Sequence, residues 1–202
     1  MSKKEELQKL KEEVESCSRC ALHLSRTQAV FGMGNPESRI LFVGEAPGYY
    51  EDLQGLPFVG QAGKLLDKLL GEIGFSRKEI YIANVLKCRP PKNRDPLPQE
   101  IEICKPYLLK QIEIIQPSLV CTLGRFALHL LYGKKIPISK FHGKVLPGDI
   151  FTIYPLFHPA AALHQPALYT PLREDFLNLA KILKELKSTP PVEKKPTQIT
   201  LF

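Results

Sequence analysis

Cys17 and Cys20 form a Cys-x-x-Cys pair, and Cys88 and Cys104 stand far downstream of it. Thiolates at such a spacing suit one metal centre. A tight pair holds two corners and two distant ligands complete it, which pins the N-terminal segment to the middle of a domain. Spacing alone leaves the metal open between zinc and iron–sulfur. Structural zinc sites tend to show two close pairs, each on its own knuckle; here only one pair is close, which favours a [4Fe–4S] cluster. Cys121 lies in the apolar run 118–123 and reads as a core residue. A disulfide framework is disfavoured, because the N-terminus is charged and helical and shows no secretory apolar stretch. The dispersed set also differs from the compact cysteine runs of ferredoxins, which argues against a dedicated electron carrier.

A second group of residues marks the ends of apolar runs. Glu45 follows the run 40–43, Asn84 stands near the end of 80–86, and His158 follows 151–156. Each run is short, largely apolar and flanked by Gly, Pro or polar residues, the pattern of strands buried on both faces. A fourth such run covers 119–123. Helical periodicity occupies the intervals. Ser2-Lys3-Lys4-Glu5 is a capping box ahead of Leu7, Leu10 and Val14, and Leu65, Leu66, Leu69, Leu70 and Ile73 make one apolar face. Further helices are expected over 99–115, 125–132 and 171–186.

This alternation predicts an α/β fold, a three-layer sandwich whose central, mostly parallel four-stranded sheet is flanked by helices. In such sheets ligands bind outside the carboxyl ends of the strands. Glu45, Asn84 and His158 should therefore converge on one crevice. Residues 1–187 read as one domain. Residues 188–202 combine proline and charge without periodicity, the composition of a disordered tail.

Charge limits the partners. The 202 residues carry a formal net charge of +7 with a pI near 9.1, which favours an anionic partner. Lys87, Arg89, Lys92 and Arg94 cluster around Cys88 in a proline-rich loop, a candidate grip for phosphates. No stretch is long and apolar enough to span a membrane, so a soluble, cytoplasmic protein, nucleoid-associated and monomeric, is expected. Lys and Glu are abundant, a bias compatible with a thermophile. No Walker-type or dinucleotide-binding glycine pattern is present. His158, followed by proline, would be held in a fixed orientation, and Phe58, in a Gly/Pro-rich loop, suits a stacking platform as well as a core position.

In this order the segments resemble the family 4 uracil-DNA glycosylases, the iron–sulfur branch of the uracil-DNA glycosylase superfamily. The resemblance runs from Cys17 to about Leu183. It is carried by Cys17 and Cys20, Gly-Glu-Ala-Pro-Gly at 44–48, Glu51-Asp52, Pro57-Phe58-Val59-Gly60 and Gly63-Lys64-Leu65-Leu66. It continues through Ile82-Ala83-Asn84-Val85, the stretch Lys87-Cys88-Arg89-Pro90-Pro91, Asn93-Arg94, Cys104 and Phe157-His158-Pro159. The family pattern implies that Cys17, Cys20, Cys88 and Cys104 hold a [4Fe–4S] cluster. Phe58 would stack on a flipped uracil, Asn84 would read its O4 and N3–H edge, and Glu51 would stand against C5 to exclude thymine. Glu45 and Ala46 would position the attacking water, and His158 would donate to O2. Family 5 enzymes carry an apolar residue where this chain has Glu45. The segment 160–168 departs from the pattern, with little motif identity.

The implied partner is uracil-containing DNA, single- or double-stranded, bound through Lys87, Arg89 and Arg94. A non-catalytic iron–sulfur module of the same fold is the alternative; the presence of Glu45, Asn84 and His158 counts against it, since a pure binder needs none of them. The ending Gln198-Ile199-Thr200-Leu201-Phe202 resembles a shortened sliding-clamp-binding motif, with Gln198 ahead of the anchors Leu201 and Phe202.

Overall fold

The computed structural model describes residues 1–148 and 150–188, and the side chains only as far as 185. Helix α1 spans Lys3–Glu15 and starts from the expected capping box: the Ser2 hydroxyl accepts the Glu5 amide, and the Glu5 carboxylate accepts the Ser2 amide. Five strands follow in the order β1 (Met33–Gly34), β2 (Ile40–Gly44), β3 (Tyr81–Asn84), β4 (Leu119–Leu123) and β5 (Thr152–Leu156). They form one sheet ordered β1-β3-β2-β4-β5. The pairs β3–β2, β2–β4 and β4–β5 are parallel, and β1 lies antiparallel on β3.

The four parallel strands are those expected. The fifth, β1, is a two-residue edge; Gly32 before it and Gly34 within it have φ of +134° and +132°. So short a strand, built on glycine, carries no alternating pattern that sequence reading could detect.

Alternation along the buried strands divides the core into two. Leu41, Val43, Tyr81, Ala83, Val120 and Ile153 face one side, where they meet Leu7, Leu10 and Val14 of α1. Helices α4 (Pro98–Ile115) and α5 (Arg125–Tyr132) complete that layer. Ile40, Phe42, Ile82, Leu119, Cys121 and Tyr154 face the other side, against α3 (Gln61–Glu72) and α8 (Tyr169–Ser188). This is the expected three-layer sandwich, and Cys121 is the core residue its apolar run implied.

From β2 the chain runs through α3 to β3 on one side, then crosses by α4 to β4 on the other, so the direction of winding reverses beside β2. Such reversals open a crevice at the carboxyl ends of the strands. Three short helices border that edge or lie near it: α2 (Tyr49–Gln54), α6 (Ile138–Phe141) and α7 (Pro159–His164). Each is too short for helical periodicity to reveal from sequence.

Candidate active site and cysteine cradle

Gly44 and Asn84 are register partners at the last rung of the β2–β3 ladder. The Asn84 side chain is buried, with its Oδ1 unpaired. A Cβ added at Gly44 would lie 2.3 Å from that oxygen and 2.7 Å from Cζ of Phe58. The amide and the ring thus meet over bare backbone. An orphaned buried acceptor is costly unless a ligand supplies the missing donor.

Phe58 takes φ of +54°, a left-handed conformation rare for an aromatic residue. Two side chains hold the loop there. Glu51, on α2, accepts the amides of Val59 and Gly60 on one carboxylate oxygen, each at 2.9 Å. Arg77 donates to the carbonyl of Pro57 at 2.9 Å and to that of Phe58, while its Nε pairs with Asp67 at 2.6 Å. Gly63 permits the close approach of α3, because a Cβ there would sit 1.7 Å from the Phe58 carbonyl oxygen. The Phe58 ring lies nearly parallel to the His158 imidazole, with centroids 5.6 Å apart.

His158 caps α7: its Nδ1 accepts the Ala160 amide at 3.1 Å. With Nδ1 acting as acceptor, the proton of the neutral ring sits on Nε2. Burial pushes the imidazole pKa down to about 4, against an opposing pull from the Glu51 carboxylate. At neutral pH this residue is a neutral N–H donor. Glu45 moves the other way. Burial first, then the nearby Asp95 carboxylate, push it up to about 7, and Arg125, itself paired with Asp95, opposes the rise. Ala46 packs half-buried against the core beside it.

The basic loop divides. Lys87 is not a surface residue: it is 1% exposed, and its Nζ donates to the Asn84 carbonyl at 2.9 Å and to Gln111 Oε1 at 2.6 Å. Its expected contact with DNA phosphates is therefore wrong, because a side chain enclosed on all sides cannot reach a phosphate. Arg94 forks the Glu100 carboxylate at 2.9 and 2.6 Å, so its guanidinium is committed within the fold. Arg89 is half-buried, its guanidinium 5.1 Å from the centre of the largely exposed Tyr49 ring. Lys92 is exposed.

The four cysteines line one cavity together with Val14, Arg26, Lys87 and Tyr107. All five cysteines are free thiols rather than disulfides. Cys88 Sγ accepts from Arg26 at 3.1 Å, and Cys104 Sγ accepts the Lys87 amide at 3.3 Å. Among the described residues, no three side chains converge as ligands of a single ion. Four sulfurs lining one cavity, two of them receiving N–H donors, are a donor set whose chemistry suits a thiolate-bound metal group.

Sequence reading brought Glu45, Asn84, His158, Phe58 and Glu51 to this edge. It missed Arg77, Gln111 and the Asp95–Arg125 pair. Arg77 sits in a polar stretch that reads as solvated surface, and Gln111 lies within a long helix, so only the fold reveals their contacts.

A mixed α/β sheet with this strand-end constellation and cysteine cradle defines a class. The description "Uracil DNA glycosylase superfamily" matches residues 31–187, and the chain belongs to that superfamily. A type-4 uracil-DNA glycosylase of Archaeoglobus fulgidus is 43% identical over 92% of this chain and 97% of its own length. Another, from Sulfurisphaera tokodaii, is 47% identical over 91% of this chain and 86% of its own. A third, from Thermotoga maritima, is 48% identical over 81% and 86% respectively. Within the superfamily the chain is a family 4 uracil-DNA glycosylase, an enzyme of DNA repair.

Proposed function

We propose that this enzyme draws uracil out of single- or double-stranded DNA into the crevice at Asn84 and hydrolyses its N-glycosidic bond, which opens base-excision repair. The observation that carries the reading is the orphaned Oδ1 of Asn84 beside the Phe58 ring and the His158 imidazole. A carboxamide accepts from N3–H and donates to O4 of uracil, whereas cytosine presents the opposite pattern and would leave both groups unpaired. Extrusion costs a few kcal/mol, which stacking on Phe58 helps to offset.

Bond cleavage leaves positive charge on the sugar and negative charge on the base. The neutral Nε2–H of His158 meets that negative charge at O2, where a donor is worth about 3 kcal/mol. Glu45, with Ala46, holds the water that attacks C1′; the water oxygen forms the new bond, the base leaves with the electron pair of the old one, and Glu45 receives the water proton. Glu51 fixes the loop that bounds the C5 side and thereby excludes a thymine methyl.

Cys17, Cys20, Cys88 and Cys104 would hold a [4Fe–4S] cluster, whose contribution is a structural cross-link between the N-terminal segment and the loop bearing Arg89. Arg89 and Lys92 supply the phosphate contacts. The clamp motif at Gln198, Leu201 and Phe202 lies outside the described residues; a tether there would recruit the enzyme to a sliding clamp, and the catalytic domain acts as a monomer. Deleting residues 197–202 should abolish capture by a clamp protein and leave uracil release from a short oligonucleotide unchanged.

The central test is release of free base from oligonucleotides carrying uracil, thymine or cytosine, run beside an iron analysis and an optical spectrum. Uracil alone should be released, by a brown, iron-containing protein. Asn84→Asp should abolish release or relax the rejection of cytosine. His158→Ala should slow release about a hundredfold with DNA affinity nearly unchanged. Equal losses of rate and affinity would make His158 a structural residue.

A further inference from the structure

Lys87 joins two parts of the molecule that the mechanism treats separately. Its backbone N–H donates to Cys104 Sγ at 3.3 Å, and its neighbour Cys88 lines the same cavity. Its side chain runs the other way, to the carbonyl of Asn84 at 2.9 Å. An ammonium has three N–H donors. One meets Asn84 and a second meets Gln111 Oε1 at 2.6 Å, while Nζ lies 6.0 Å from the centre of the Phe31 ring. Gln111, fully buried, is oriented in turn by donating to the Phe31 carbonyl at 2.9 Å. Two of the three Lys87 donors are thus hydrogen-bonded within the protein, and the side chain is enclosed.

Two physical facts give this arrangement its meaning. The Lys87 backbone N–H on Cys104 Sγ, together with its place in the wall of the cysteine cavity, ties the residue to the cradle. A hydrogen bond to the peptide carbonyl of Asn84 also fixes the end of β3, from which the base-reading amide projects. Among the described residues no other side chain donates to that carbonyl.

We infer that Lys87 is a positioning residue: anchored by the cysteine cradle, it sets the Asn84 peptide, so that filling of the cradle and recognition of uracil are energetically coupled. The inference rests on Asn84 being the base reader. Coupling between two sites is reciprocal, so uracil in the crevice must steady the cradle as much as the filled cradle steadies the crevice. The cradle then does more than staple a basic loop.

The test uses holoenzyme prepared without oxygen. In the wild-type protein, free uracil should slow loss of the cluster to an iron chelator, followed by the decay of its visible absorbance, by about fivefold or more. Cytosine should have no such effect. In Lys87→Met, which keeps the aliphatic stem and removes the donors, uracil should no longer protect, KM should rise, and preference for uracil over cytosine should narrow about tenfold. Gln111→Leu, which leaves the lysine in place, should produce a weaker form of the same changes. Absence of uracil protection in the wild-type protein overturns the inference without recourse to any variant. So does a cluster-loaded Lys87→Met that keeps wild-type KM, discrimination and protection. Should Asn84→Asp also discriminate normally, the base-reading assignment itself fails. Normal discrimination confined to Lys87→Met removes only the coupling.

Discussion

Glu45 and His158 hold pKa values in the reverse of their order in solution, about 7 for the carboxyl and about 4 for the imidazole. Burial causes both shifts, because it disfavours whichever form is charged. The result is a histidine that stays a neutral donor across the working range and a carboxyl that ionises near neutrality. The rate of base release should therefore rise with pH through about 7, with no loss traceable to His158 until about pH 4. Glu45→Gln should flatten the profile and lower the rate. Arg125→Ala removes the cation that lowers the Glu45 pKa and frees Asp95, which raises it, so the midpoint should move to higher pH. Single-turnover rates measured from pH 5 to 9 would show a fixed midpoint if Arg125 is not coupled to Glu45. The sign for stability follows from proton counting. Between the ordinary carboxyl value of 4.5 and about 7 the folded chain keeps a proton that the unfolded chain has lost, so Glu45 lowers stability as pH rises through that window.

At the scale of elements, the crevice depends on a loop held from two sides. Helix α2 contributes Glu51, which grips the amides of Val59 and Gly60, and Arg77 grips the carbonyls of Pro57 and Phe58. Phe58 stays at positive φ because both sets of contacts oppose relaxation. Arg77→Met should loosen the stacking ring and raise KM for DNA containing uracil. A wild-type KM would remove Arg77 from the positioning of Phe58. Gly44→Ala tests the same junction from below. Its new methyl would press on Asn84 and the Phe58 ring, flexible side chains rather than backbone, so the protein should fold. Displacement of about 1 Å in a catalytic crevice costs about a hundredfold in rate, and a loss of that size is expected in kcat/KM. Near-normal activity in Gly44→Ala would show that the ring and amide do not need to meet there.

For the whole molecule the relevant quantity is charge. With a formal net charge of +7, the enzyme should bind DNA with an affinity that falls steeply as salt rises. The fold sorts the basic loop into residues that can contribute and residues that cannot. Arg89→Ala should flatten the salt slope by about one contact. Arg94→Ala should leave the slope nearly unchanged and lower thermal stability instead, because its guanidinium is paired with the buried Glu100 carboxylate. The Arg94 pair holds the Glu100 pKa below the usual carboxylate range, so this contribution to stability is present above the ordinary carboxyl value and is lost as pH falls. Titration of binding against salt for both variants checks the division; equal slopes for Arg89→Ala and Arg94→Ala would refute it.

The local physics of the chain determined its layers and much of its site. Largely apolar runs specified strands buried on both faces, a capping box started α1, and the polar residues ending β2, β3 and β5 pointed to one edge of the sheet. Those signals are local, carried by residue type and period, and they survive without knowledge of the fold. What tertiary structure alone decided concerns groups whose partners are distant in sequence. Lys87 stands in a run of basic residues, and composition assigns it to the surface; only the closure of α4 over β3 encloses it between Asn84 and Gln111. Arg77 gains its purpose from carbonyls on a loop across α3, and Glu45 its raised pKa from burial and the Asp95 carboxylate, against the pull of Arg125. Residue types show what chemistry a chain could do. Burial and long-range hydrogen bonds, which depend on packing, select which of those residues face the ligand and which hold the others in place.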